Sequence, residues 1–308
     1  MIHELHDAVR YVLGLDVARR GLHVFPDDTF IVSYPKSGNT WTRFLVANLL
    51  HPGEPVTFEN IERIVPDMHA QSKRFFRSLP RPRFIKSHEY FDPRYPRVIY
   101  IVRDPRDVLS SSYHFHRKQR QISDDYPIEH YVKRFLAGDV WSVYASWSQN
   151  VTSWLATRPQ APTGGLFGSW ADNVSSWLEA GVDGSNFLML RYETMLEQPV
   201  HELGRIAAFL KIESTPELLS QAVARSSATS LRELEQQQST NWVMTRKTRQ
   251  DIPFVGAAKA GGWRANLPPE CAAETERCLG PLMTALGYEL TSSIQQSAHL
   301  EKRSILTK

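Results

Sequence analysis

The stretch Thr29–Leu50, TFIVSYPKSGNTWTRFLVANLL, decides how the rest of the chain is read. Phe30, Ile31 and Val32 form a short β-branched and aromatic run, as a buried strand does. The run ends at Ser33-Tyr34-Pro35, and Lys36-Ser37-Gly38-Asn39-Thr40 is a compact polar turn. From Trp41 the apolar residues fall at helical spacing, with Thr40 or Asn39 expected as the N-cap. A strand, a tight turn and a helix in that order leave free backbone N–H groups at the helix start, and with the helix dipole these make an anion site. Lys36 adds a full charge, so the turn reads as a phosphate cradle. It is not the triphosphate loop G-x-x-x-x-G-K-[ST], because the lysine precedes the glycine. An ordinary strand-to-helix connection with a surface lysine fits this stretch alone equally well.

A second region breaks the tie. In PRPRFIKSHEYFDPRYPRVIYIVRDPRDVLSSSYHFHR, Phe84-Ile85 is a minimal strand ending at Lys86-Ser87-His88. Val98–Val102 is nearly continuous Val, Ile and Tyr, as a central parallel strand is. Asp104 then has the character of an N-cap with Pro105 at the first helical position. Asn186–Leu190, NFLML, is a further strand that leads into Tyr192-Glu193. The repeated strand, turn and helix predict a single α/β domain with a central parallel sheet flanked by helices. In such sheets ligands bind beyond the carboxyl ends of the strands. Lys36, Lys86, His88 and Arg103 all stand there.

Composition narrows the class. The chain has 308 residues, 42% hydrophobic and 22% charged, ordinary for a globular protein with a large core. A net charge of +3 is too small to mark a nucleic-acid binder. Cys271 and Cys278 lie seven residues apart in one predicted helix, too distant to bridge, and suit core packing in a cytoplasmic protein. No stretch approaches the ~18 apolar residues of a membrane span. The start, MIHELHDAVRYVLGL, reads as an amphipathic helix, and residues 291–308 as a polar tail after a domain of residues 1–290. Between Tyr144 and Gly181 a Trp-containing segment occurs twice, with Trp147/Trp154 repeated 23 residues later as Trp170/Trp177. Two copies are too few for a solenoid. A tandem duplication follows, either a surface helix or a lid. The stretch HPGEPVTFENIERIVPDMHA, from His51 to Ala70, carries no chemical signature on this reading.

These motifs resemble those of the cytosolic-type sulfotransferases, which use 3′-phosphoadenosine 5′-phosphosulfate (PAPS). The family's Y-P-K-[ST]-G-[TN]-T-W is matched by Tyr34–Trp41, its R-[ND]-P-[RK]-D-x-x-x-S by Arg103–Ser111, its K-x-H by Lys86–His88, and its Y-E by Tyr192-Glu193. The resemblance implies a P-loop-NTPase-like sulfotransferase fold and sulfuryl transfer from PAPS, without a metal, to a hydroxyl of a small-molecule acceptor. It implies that Lys36 contacts the sulfate and the leaving oxygen. Ser37, Gly38, Asn39 and Thr40 would hold the 5′-phosphate and Trp41 would flank adenine. Arg103 and Ser111 would bind the 3′-phosphate, with Tyr192 and Thr229 near adenine. His88 would be the base and Lys86 an electrostatic helper. Leu231 stands where the family has an aromatic that stacks on adenine. Gly256-Ala257-Ala258 stands where it has Arg-Lys-Gly, with Lys259, Arg246 or Lys247 open as substitutes. N-sulfation, a triphosphate-dependent kinase and a non-catalytic nucleotide binder are the alternatives, and oligomeric state stays open, a homodimer included.

Overall fold

A computed structural model describes residues 13–141, 167–181 and 185–291. Four strands form one parallel sheet: β1 (Thr29–Ser33), β2 (Phe84–Ser87), β3 (Val98–Val102) and β4 (Phe187–Arg191), in the order β2-β1-β3-β4. The predicted strands are all present. Register aligns the functional ends: Val32 pairs with Ser87 and Tyr100, and Val102 with Arg191. The residues that follow β1, β2 and β3 therefore emerge side by side along one edge.

Both sheet faces are covered, which is why β1 and β3 are buried at every position. Alternation divides their side chains. Phe30, Val32, Val98, Tyr100 and Val102 face one core; Ile31, Ile99, Ile101 and Leu190 face the other. The second core is closed by α1 (Asn39–Leu50), α2 (Ile61–Ile64), α7 (Tyr192–Glu197), α8 (Pro199–Leu210), α9 (Pro216–Arg225) and α10 (Ala228–Gln238). The first is closed by α3 (Lys73–Ser78), α4 (Pro105–Lys118), α5 (Ile128–Leu136), α6 (Trp170–Gly181), α11 (Trp263–Asn266) and α12 (Pro269–Ala285). Burying each Phe-, Leu- or Ile-sized side chain stabilises the fold by about 1.5–3 kcal/mol.

Several local expectations meet a specific outcome. Asp104 caps α4 through the N–H of Arg106, with Pro105 in the first turn, as its sequence predicts. Neither Asn39 nor Thr40 caps α1. The cap is Gly38 at φ 98°, and Asn39 turns its amide back to Ile31 O at 3.0 Å and Ser33 Oγ at 3.2 Å. Cys271 is buried on α12 while Cys278 is exposed, so only the first packs in the core. The first Trp copy lies in residues 142–166, outside the described residues, as do most of the N-terminal amphipathic stretch and residues 292–308. The second copy is α6, and it belongs to the core: Trp170 and Trp177 are almost fully buried. Trp177 donates to Glu89 O at 2.9 Å and packs against Phe91, Tyr95 and Tyr100.

Candidate active site

The turn after β1 is shaped by two residues with positive φ, Lys36 at 69° and Gly38 at 98°. Gly38 is required twice over, since a Cβ there would lie 2.4 Å from Tyr192 Cδ2. The carbonyl of Gly38 takes the N–H of Thr42, so the first N–H groups of α1 point outward without intrahelical partners. Ser37 Oγ is buried with no partner, a polar atom that a ligand oxygen would satisfy. Free N–H groups, an orphaned hydroxyl and a nearby ammonium are a donor set suited to a phosphate or sulfate.

Arg103 closes the other side. It follows β3, donates to Lys36 O at 3.1 Å, and lies 4.3 Å above the ring of Tyr192. Its Nε is buried without a partner. Tyr192 also meets Trp41 edge-on at 5.8 Å, so Trp41, Tyr192 and Arg103 form one wall. Glu193 accepts the N–H of Asp104 at 2.9 Å and fixes β4 to the β3–α4 turn. Ser111 is half-buried on α4. Thr229 is exposed in the first turn of α10, and Leu231 is buried in the core with Tyr192.

Lys36 is half-buried, its Nζ 4.4 Å from the Phe115 ring and 4.7 Å from that of Phe254. Burial, and then the positive charges of Arg103 and Lys86, bring its pKa down to about 7. The site's own burial and charges disfavour the Lys36 cation, and an anion bound beside it would reverse that.

His88 stands one residue beyond β2. Its Nδ1 lies 2.8 Å from Ser33 O. A carbonyl only accepts, so Nδ1 carries the proton and Nε2 keeps its lone pair. Burial, then the charge of Lys86, holds the imidazole well below its ordinary pKa. It is a neutral imidazole oriented by the Ser33 carbonyl. Lys86 is buried and its ammonium is taken by Asp67 Oδ2 at 2.5 Å. Burial works against the Asp67 carboxylate, but the surrounding positive groups, Lys86 first among them, together outweigh it and hold its pKa below the ordinary range.

Four further residues enter that sequence reading passed over. Asp67 pairs with Lys86. His69 accepts the backbone N–H of His88 through Nε2 at 2.9 Å. Asn173 of α6 donates to His88 O at 3.1 Å and accepts from Tyr100 at 3.0 Å. His116 is buried, with Nδ1 at 2.6 Å from Tyr131 Oη and Nε2 without a partner. Burial, then Lys36 and Arg134, push its pKa down to about 3. Asp67-x-His69 mirrors Lys86-x-His88, a signal available only once the two segments are known to lie side by side.

The late loop is fastened at several points. Asp107 accepts the N–H groups of Gly261 and Trp263, each at 2.8 Å, and Arg106 stacks on Trp263 at 4.1 Å. Ala258 has φ 49°. Arg232 donates to Gly256 O at 2.7 Å, whereas Lys259, Arg246 and Lys247 are exposed. Lys118 donates to Arg249 O at 2.7 Å and Ile252 O at 2.6 Å, and Glu235 accepts the N–H of Val255 at 2.8 Å, which sets Phe254 against Lys36. Among the described residues no His, Cys, Asp and Glu group could hold a metal ion, and no helix is long and apolar enough to cross a membrane.

A family model for the sulfotransferase domain matches residues 26–287. The chain is 27% identical to sulfotransferase 1B1 of Canis lupus familiaris over 258 residues, 79% of this chain and 78% of that one. It is 26% identical to a 3-beta-hydroxysteroid sulfotransferase of Cavia porcellus over 262 residues, 82% of each. Its fold is similar to that of mouse sulfotransferase SULT7A1 complexed with PAP, with a TM-score of 0.64, 21% identity and 92% of both chains covered. Retinol dehydratase in complex with androsterone and inactive cofactor PAP also has a TM-score of 0.64, at 18% identity over 86% of this chain and 83% of that one.

Proposed function

Because this chain belongs to the sulfotransferase domain family, we propose that it transfers a sulfuryl group from PAPS to a hydroxyl of a small-molecule acceptor, in line, with His88 as general base. The observation that carries this reading is the bond from His88 Nδ1 to Ser33 O, which leaves Nε2 free to accept the acceptor's proton. Sulfuryl transfer asks the protein chiefly to align the two reactants and to stabilise the departing oxygen. Lys36 supplies that stabilisation at the phosphate turn, and the N–H groups of α1 hold the 5′-phosphate. Arg103 and Ser111 are assigned to the 3′-phosphate; the unpaired Nε of Arg103 supports its part. PAPS supplies the activated sulfur and leaves as 3′-phosphoadenosine 5′-phosphate (PAP). The acceptor would enter beside Phe115, Trp141 and Phe167, an aromatic wall next to His88. We take residues 1–290 as the domain and 291–308 as a tail.

The test is a panel of phenols, aliphatic alcohols, sterols and amines incubated with sulfur-labelled PAPS. Labelled product from a hydroxyl compound, lost in His88→Ala while PAP still binds, is the expected result. Transfer to amines alone, or full activity in His88→Ala, overturns the reading.

A further inference from the structure

The segment Pro66-Asp67-Met68-His69 runs beside β2 in parallel, with Asp67 paired to Lys86. Its first two rungs are ordinary backbone bonds: Lys86 N–H to Pro66 O at 2.9 Å, then Met68 N–H to Lys86 O at 3.2 Å. The next donor, just past the end of β2, is the N–H of His88. It goes to a side chain, His69 Nε2, at 2.9 Å. The imidazole thus takes the place of the next carbonyl in the ladder.

We infer that Asp67 and His69 form a clamp that positions the pair Lys86 and His88 for catalysis, each member holding its counterpart across the ladder. Asp67 works at two points with one carboxylate: Oδ2 holds the Lys86 ammonium, and Oδ1 takes the N–H of His69 at 2.8 Å. Its own N–H is held by Glu62 Oε2 at 3.0 Å, and Glu62 is paired with Arg43 of the phosphate-turn helix. The clamp is thereby anchored to the helix that carries the donor site. His69 completes a three-point hold on His88, with N–H to His69, carbonyl to Asn173 and Nδ1 to Ser33. The two imidazoles lie nearly parallel, centroids 5.7 Å apart, and both meet Phe167 edge-on.

The arrangement fixes a tautomer. His69 Nε2 accepts, so a neutral His69 carries its proton on Nδ1, and that atom is buried without a partner. Leaving a buried N–H unsatisfied is a cost that an apolar ring at this position would avoid. The retained cost matches a demand for the acceptor at Nε2. A protonated His69 would confront the His88 N–H with a second donor and end the hold.

This inference rests on the reading of His88 as base, and the experiment separates the two. Long-range proton–nitrogen spectra of histidine-labelled wild-type protein at neutral pH report the tautomer of each ring. We expect His69 with protonated Nδ1 and bare Nε2; a protonated Nε2 overturns the clamp. His69→Phe is expected to lower kcat at least tenfold with the phenol best used in the panel, while its KM and the affinity for PAP change less than threefold. His69→Gln, whose carbonyl can accept the same N–H, is expected to recover most of the rate. A His69→Phe protein with wild-type kcat, or a Gln variant no better than Phe, sinks the positioning role. If His69→Phe does not fold, the tautomer and the Gln variant's kcat decide. Loss of activity in His88→Ala together with unchanged kcat in His69→Phe rejects the clamp and keeps the base, whereas full activity in His88→Ala rejects the base.

Discussion

A Cβ placed on Gly38 would lie 2.4 Å from Cδ2 of Tyr192, so the phosphate turn and the start of α7 are fitted to each other at the one position that lacks a side chain. Gly38→Ala therefore meets both a clash and a left-handed backbone at φ 98°, the latter alone costing about 1–2 kcal/mol. We expect a lower melting temperature and at least a tenfold loss of PAP affinity by calorimetry. Adding Tyr192→Leu should restore part of the stability by removing the clash and leave the strained backbone.

His88 is neutral well below the ordinary imidazole range because burial, then the charge of Lys86, opposes its cation. A lowered pKa means that the base persists as pH falls. With PAPS saturating, so that Lys36 is already charged, the kcat/KM profile for the acceptor should stay level from neutral pH to below 6.5, the unperturbed value, and fall only in more acid solution. His88→Ala should reduce kcat by about 10²–10⁴-fold, the usual weight of a general base, with PAP binding intact. A profile that falls at pH 6.5 or above counts against the buried neutral base.

Arg103 touches both the phosphate turn and Tyr192, and its Nε has no partner. Arg103→Ala should weaken PAP at least tenfold, as loss of a charged hydrogen bond of about 1.5–3 kcal/mol does. Adenosine 5′-monophosphate, which lacks the 3′-phosphate, should lose less than threefold. Equal losses measured by titration would remove Arg103 from the 3′ end.

Lys118 is buried and spends its ammonium on two carbonyls of the late loop, Arg249 and Ile252. Lys118→Met leaves both unsatisfied and releases the strap that seats Phe254 over Lys36. We expect faster proteolysis between residues 245 and 260 and a severalfold rise in KM for PAPS, with kcat at saturation less affected.

How far the chain could be read in advance depended on distance along it. β1 and β3 declared themselves because strands covered on both faces are apolar throughout, and Asp104-Pro105 declared α4 because capping is local. Asn39 has the residue type of a cap but does not act as one, for the opposite reason. Its amide serves the strand before it, and Ser87 O lies within 3.4 Å as well, a use that only tertiary packing creates. Lys36, His88 and Arg103 were legible as strand-end residues, and the sheet brings them to one edge. Asp67 and His69 were not. They sit in a Pro- and Gly-rich connection without periodicity, and their meaning comes from β2, which begins 15 residues beyond His69. Ala258 hides in the same way: nothing in Gly256-Ala257-Ala258 announces the left-handed turn that the backbone keeps there at φ 49°.

Lys36, its pKa brought down to about 7 by burial and then by Arg103 and Lys86, makes donor capture a protonation event as well. At neutral pH part of the molecules hold a neutral amine, and a bound polyanion restores the charge, so binding takes up protons from solution. The measured heat of PAP binding should then differ between phosphate and Tris buffers in proportion to their ionisation enthalpies. Affinity should decline as pH climbs from 7 toward 9, because more of the free protein must first be charged. The half-buried lysine thereby couples the filling of the site to the acidity of its surroundings.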